Sequence, residues 1–339
     1  MKVDLAIIGQ GAVTPAGIGV DALRHGQPSP VMLGGLSRPE QLWPVYRVDL
    51  KDPALTRWQR EPRLRRSSPI TLFLIEAAEQ ALAGVSAGNR AKTGLIVAFS
   101  AGCLVYSHRF FDGILNLGQK MASPALFPET VFNSPGSHVA SALKLNGAAY
   151  ALVDDEAAWV AALKTASIWL QKERVQQVLV LGAEEFDPLV LDAYQSARWM
   201  KRDAALRSVI PSEGAAGVLV RRAEAGDAAV ITAARDGFIY RTKREVACAA
   251  EKLLRGIDPA LPAYSTAQHT WLGPLETRTL LGRSLMPEIG PYLGGAFTAS
   301  AAWNTLRALA ALPEQNSSLI VPLWGLNHQL AMLVLGRKL

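Results

Sequence analysis

The sequence predicts an α/β fold in layers, with strands covered on both faces by helices. Three observations carry this. Val, Ile and Leu run on without polar alternation in VQQVLVLGAEE, GAAGVLVRRA and SSLIVPLW, the pattern of strands buried on both sides. Helix-like segments separate these runs, as an alternating β/α order requires. Two of the helices, in DDEAAWVAA and GGAFTASAAW, are built from small residues, which implies close approach to a neighbour, as for helices sandwiched between sheets.

The elements follow in order. DLAIIGQGAV reads as a strand running into a Gly-rich turn. SSPITLFLIEAAEQALAGV reads as a helix, with Ser67 or Ser68 as N-cap, Pro69 in the first turn and Gly84 after the last apolar position. TGLIVAFSAG is a second strand ending in small residues. AALKTASIWLQKER is an amphipathic helix, and the buried strand after it closes at Gly182. GAAGVLVRRA is a strand, GGAFTASAAWNTLRALAAL a long helix, and SSLIVPLW and QLAMLVLGRKL are strands joined by a tight turn from Gly325 to His328. Each half offers a strand, a small-residue turn, a helix and a strand, which suggests two similar halves, 1–146 and 147–339, dividing near Asn146.

With 339 residues, 50% hydrophobic and 19% charged, the chain can bury a large core. It contains no run of 18 apolar residues, so no membrane insertion is expected. The opening MKVDLAIIGQGAV lacks the basic region and apolar length of a secretory signal. Two cysteines, Cys103 and Cys248, make neither a disulfide framework nor a metal cluster, and a reducing cytoplasm is the expected home. Net charge is +6, and five arginines fall between Arg57 and Arg66. Without aromatic interleaving or a nucleic-acid module, this patch reads as a solvated segment ahead of a helix and not as a nucleic-acid site.

Taken together and in order, several segments resemble the β-ketoacyl synthases of the thiolase superfamily. VDLAIIGQGAVTPAGIGVDAL is similar to their N-terminal signature, and RRSSPITLFLIEAAEQAL to their first long helix. NSPGSHVASALKLNGAAYALV resembles the approach to the nucleophile, VLVLGAEEFDPLVLDAY the strand that follows, and PSEGAAGVLVRRA their Gly-Glu-Gly-Ala strand. LGPLET and GPYLGGAFTASAAW resemble the two histidine regions. The chain is lean around 198–208 and 239–262. The resemblance implies a five-layer α-β-α-β-α sandwich of two pseudo-symmetric halves. It also implies dimerisation across the strand before the nucleophile, here Ala149 to Val153.

That family's chemistry needs a Cys at a helix N-terminus, where the dipole favours thiolate, and two His to stabilise the enolate and its oxyanion. Laid over ALVDDEAAWVAAL, the nucleophile falls on Glu156. The first His falls near Thr266 or Tyr264 in AYSTAQHTW, with His269 out of register. The second falls on Pro291, which has no side-chain donor and no N–H. The final Gly-rich loop reads LWGLNHQLA. A carboxylate cannot form a thioester that survives for condensation, so no catalytic residue, cofactor or metal is expected. Asp154, Asp155 and Glu156 are otherwise explained as helix-start chemistry, an Asp N-cap with acids in the first turn.

The resemblance then implies a pseudoenzyme adaptor acting through protein contacts. It would be a homodimer or a heterodimer with a thiolase-fold sister, of the kind associated with type VI secretion effector loading. The alternatives are a chain-length factor partnering an active ketosynthase, or a residual malonyl-carrier decarboxylase or acyltransferase using Glu156. An acyl carrier protein is a further expected partner.

Three other constellations suggest chemistry. Ala98-Phe99-Ser100-Ala101-Gly102 nearly matches the Gly-x-Ser-x-Gly nucleophile elbow, with His269 or His328 downstream. Cys103 and His108 suggest a displaced Cys–His pair, against the alternative of a buried small hydrophobe. Gly9-x-Gly11-x-x-Thr14 is a dinucleotide fingerprint broken by Pro15. The five histidines, His25, His108, His138, His269 and His328, show no metal spacing.

Overall fold

One order of elements occurs twice along the chain. The computed structural model describes residues 2–201, 207–313 and 317–337. From the N-terminus come β1 (Lys2–Thr14), β2 (Gly17–Ile18), α1 (Ala22–His25), β3 (Pro30–Leu33), β4 (Trp43–Tyr46), α2 (Pro53–Gln59), α3 (Pro69–Ala81), α4 (Ala87–Ala91) and β5 (Thr93–Phe99). Next are α5 (Leu104–Leu117), α6 (Ser134–Leu143), β6 (Ala149–Val153), α7 (Ala157–Gln171), β7 (Gln177–Glu184), α8 (Pro188–Ser196) and β8 (Gly214–Arg222). Then follow β9 (Val230–Ile239), α9 (Lys243–Leu254), β10 (Ala263–Tyr264), α10 (Gly273–Thr279), β11 (Leu285–Met286), α11 (Phe297–Ala311), β12 (Ser318–Gly325) and β13 (Gln329–Gly336).

The main elements run β1–α3–β5–β6–α7–β7–β8, then β9–α9–β10–β11–α11–β12–β13. The sheet order is β6-β5-β7-β8-β1, continued as β9-β13-β12-β10-β11, so the second half mirrors the first position by position. β1 and β9 join the halves through Lys2↔Ala233, Leu5↔Ile231 and Ala6↔Val230. The junction therefore lies at 223–229. The division expected near Asn146 falls inside the first half, where it would part β6 from its parallel partner β5. The sequence echo marked a strand–helix–strand unit, but strand pairing reaches across that unit and sets the true repeat.

Helices complete the layers. α3 covers β1, β7 and β8 from outside, with α6 beside it, and α9 covers β9 and β13. α7 and α11 touch strands of both halves and form the middle layer. A helix between two sheets is covered on most sides, which is why these two carry Ala at close contacts and bury Trp159 and Trp303 completely, with α7 keeping one partly open stripe at Ala161, Lys164, Thr165 and Ile168. Each indole N–H finds a partner, as buried tryptophans require. Trp159 Nε1 donates to Thr305 Oγ1 at 2.9 Å, tying α7 to α11, and Trp303 Nε1 donates to the Ala215 carbonyl at 3.2 Å, tying α11 to β8.

Gly9 and Gly11 belong to this packing. A Cβ on either would lie 1.9 Å from the Ala81 carbonyl oxygen or 2.0 Å from that of Ala77, so α3 rests directly on the β1 backbone. The glycine pair serves a helix–strand contact and not a pyrophosphate turn.

Ser68 is the N-cap residue of α3 with Pro69 at its first turn, and Gly84 takes φ +80°, all as expected. Of the lean stretches, 239–262 holds the end of β9 and α9, while residues 202–206 lie outside the described residues. Among the described residues no helix is long and apolar enough to cross a membrane.

Candidate functional site

β6 hands the chain to α7 through Asp154, Asp155 and Glu156. The ladder with β5 carries on for one more bond, Asp154 N donating to the Phe99 carbonyl at 3.1 Å. The acids then turn inward. Asp155 and Glu156 are each only 5% exposed. Glu156 is the N-cap residue of α7 but makes no side-chain capping bond, and the first turn holds no acidic residue. The helix-start explanation of these acids is thus overturned. Gln329 of β13 does the capping instead, its Oε1 accepting from Ala157 N at 3.3 Å while its Nε2 reaches Asp154. Asp155 Oδ2 accepts from Asn327 N at 2.9 Å, binding the elbow to the β12–β13 turn.

This environment fixes the chemistry of Glu156. Burial, and then the Asp155 carboxylate beside it, push the Glu156 carboxyl well above the usual carboxylate range. Its Oε2 and the Asp155 Oδ1 are buried and have no hydrogen-bond partner among the described residues. Both effects favour the neutral acid over the carboxylate, and the neutral acid is a poor nucleophile.

Glu156 faces a cavity shared with Thr266, Glu288, Tyr292, Trp324 and Arg307. Its volume is about 50 Å³, room for a water or two and not for an acyl chain. Thr266 lies within this cavity, but its donors are engaged: its N–H donates to Glu276 Oε1 at 3.0 Å and its hydroxyl to the Pro322 carbonyl at 2.5 Å. Glu276 also receives the Ser265 hydroxyl at 2.5 Å and Trp324 Nε1 at 3.1 Å, so one buried carboxylate holds the whole 265–267 loop. Pro291 stands one residue outside the lining and offers its carbonyl to Arg307 Nη2 at 2.5 Å. His269 does not line the cavity. It is exposed and stacks on Tyr292 with ring centroids 5.1 Å apart, and burial and then the Arg307 and Arg207 guanidinia lower its pKa. The structure therefore brings Glu156 and Thr266 together, sets Pro291 beside them and leaves His269 out. Tyr264 is fully buried and accepts from Ile289 N at 2.9 Å.

The other constellations resolve as structure. The turn after β5 carries Ser100, but its Ser100 and Ala101 N–H groups both donate to the buried Glu184 carboxylate, at 2.5 and 3.0 Å. Neither His269 nor His328 has an interaction with Ser100. Cys103 donates to the Val131 carbonyl at 3.4 Å, and burial with the Glu185 and Glu129 carboxylates pushes its thiol up to about 12. His108 pairs with Asp187 at 3.0 Å and not with Cys103. Among the described residues no group of three or more His, Cys, Asp or Glu is placed to hold a metal.

Sequence reasoning missed Glu184, Glu185, Glu213 and Glu276. Each is a buried acid that fastens backbone N–H groups near the cavity. The signal was present in VLVLGAEEF, where two acids close an apolar strand with no charged partner nearby in sequence.

Comparison with known proteins bears on the family and the fold. The β-ketoacyl synthase N-terminal domain model matches residues 44–226, from within β4 to the junction between the halves. No curated protein matches the chain. Among solved structures, the ishigamide ketosynthase/chain length factor superposes with TM-score 0.81 at 20% identity over 99% of both chains. A β-ketoacyl synthase from Burkholderia phymatum STM815 superposes with TM-score 0.78 at 17% identity, over 99% of this chain and 100% of that one. A ketosynthase from a complex of a type II polyketide synthase acyl-carrier protein with its hexaketide-bound ketosynthase gives TM-score 0.76 at 15% identity, over 99% and 100%. At these identities the likeness is one of fold.

Proposed function

The chain belongs to the β-ketoacyl synthase family, and from that premise we propose that it is a non-condensing member acting as the partner subunit of a thiolase-fold sister, in the manner of a chain-length factor. One observation carries the reading: Glu156, at the position the resemblance gives to the nucleophile, is a buried carboxyl pushed well above the usual carboxylate range, beside a void of about 50 Å³. No thioester can be held there, and no acyl chain fits. Thr266 and Pro291, in the positions the resemblance gives to the two imidazoles, supply no group able to stabilise an enolate.

A subunit without chemistry needs a surface. Among the described residues β6 pairs with β5 alone and leaves its other edge free, with Tyr150 and Val153 exposed beside it. The segment between β5 and β6 also exposes Phe111, Leu115, Leu117, Met121 and Phe127, far more apolar surface than scattered residues give. Both features suit a second thiolase-fold chain pairing edge to edge. The chain's length also suits this reading, since it covers 99% of the ishigamide ketosynthase/chain length factor chain.

Two measurements test this. Incubation with a malonyl-carrier protein should release no CO2 above background; release that disappears in Glu156→Ala would overturn the reading. Co-expression with a Cys-containing sister should yield a stable heterodimer. A chain that stays apart from the sister would return the secretion-adaptor alternative.

A further inference from the structure

A second cavity, of about 330 Å³, opens between the β9–α9 junction, α10 and the β12–β13 turn. It is separate from the Glu156 void. Trp324, which lines that void, packs edge-on against Tyr240 with centroids 6.3 Å apart, so an aromatic wall divides the two. The outer cavity is of ligand size. Tyr240, Trp271 and His328 form one side of it, with His328 5.5 Å from each of the other two rings. Val246 and Leu275 add aliphatic surface.

Tyr240 Oη and Trp271 Nε1 are buried away from the cavity, so these two residues offer it apolar ring surface. Arg241 and Arg278 also line the cavity, and neither forms an ion pair among the described residues. The nearest acid in sequence, Glu245, is turned back to accept from Arg241 N at 2.6 Å, where it completes the α9 cap with Thr242.

We propose that this cavity binds a small organic anion with an apolar body. Arg241 and Arg278 hold the charged head, charge-assisted bonds being the strong ones. Val246, Leu275 and the rings of Tyr240, Trp271 and His328 take the body. The aromatic wall stops the ligand short of Glu156, so binding needs no chemistry there. The inference does not rest on the partner-subunit reading.

Calorimetry on the full chain with octanoate, octanol and inorganic phosphate tests it. Octanoate should bind saturably at one site, and the other two weakly or not at all. Arg241→Ala and Arg278→Ala should each weaken octanoate by about tenfold. Both residues are exposed, so these variants should fold, which circular dichroism checks. Absence of saturable binding would overturn the proposal. So would octanol or phosphate binding as tightly as octanoate, or arginine variants that bind like the parent.

Discussion

Glu156 is a carboxyl whose surroundings favour its protonated form. Burial disfavours the charge, and the Asp155 carboxylate disfavours it further. Its folded pKa stands above the unfolded value, so the native state holds a proton that the unfolded chain releases. That contribution to stability is complete below the ordinary carboxylate range and is lost as pH rises toward the folded pKa. A single group of this kind steepens the loss by up to about 1.4 kcal/mol per pH unit. Glu156→Gln keeps the shape and removes the titration. We predict that its Tm falls less than the parent's on going from mildly acidic to alkaline buffer, measured by thermal unfolding across that range. Equal slopes would mean that Glu156 is already ionised in the native state.

At the scale of elements, the end of β7 works as a clamp. Glu184 takes the Ser100 and Ala101 N–H groups, and Glu185 bridges the N-termini of two helices by accepting from Ile70 N at 3.2 Å and Val105 N at 2.8 Å. Just beyond the strand, Asp187 holds His108. The segment leading from β5 into α5 is thus pinned by acids contributed from one short stretch. Removing Glu185 leaves helix N–H groups unmet, at about 1–3 kcal/mol each where they are buried. Glu185→Ala should therefore speed hydrogen exchange across α5 while the amides of α7 and β7 keep their protection. The same clamp carries a pH dependence. Burial pushes Glu184 up to about 7 and Glu185 up to about 8. Both shifts are upward, so their stabilisation is present below the ordinary carboxylate range and is lost as pH rises through about 7 and then about 8. Hydrogen exchange in α5 should rise across that window before the rest of the molecule responds.

For the whole molecule, the mirror order of the two halves places β6 and β11 at opposite ends of the sheet. β6 is the end that ties to α7 and the elbow, and its residues are mostly exposed or half-buried. Tyr150 is 60% exposed and Val153 50%, so replacing both by Lys puts charge on the free edge at the cost of one ring contact, that of Tyr150 with Trp169. On the partner-subunit reading we propose, Tyr150→Lys with Val153→Lys should abolish co-purification of the sister subunit, with unchanged circular dichroism. A heterodimer that survives the pair would place the seam elsewhere.

The sequence by itself determined the layered α/β class, the main strands and helices, and the family, because continuous apolar runs, small-residue helices and the order of motifs are all local patterns. It also put Glu156 at the elbow and Thr266 near it. It did not determine where the halves divide, since β5 and β6 pair across 49 intervening residues that no local pattern joins. It misread Asp155 and Glu156 as helix-start acids and left His269 as a candidate. Only the tertiary structure decided those points. Burial and the partner that meets a buried charge are set by distant segments, here Gln329 and Asn327 at the elbow and Tyr292 under His269. A carboxylate in water and one sealed beneath a β-turn share the same letter in the sequence, and only the fold supplies the difference in solvation that makes them different groups.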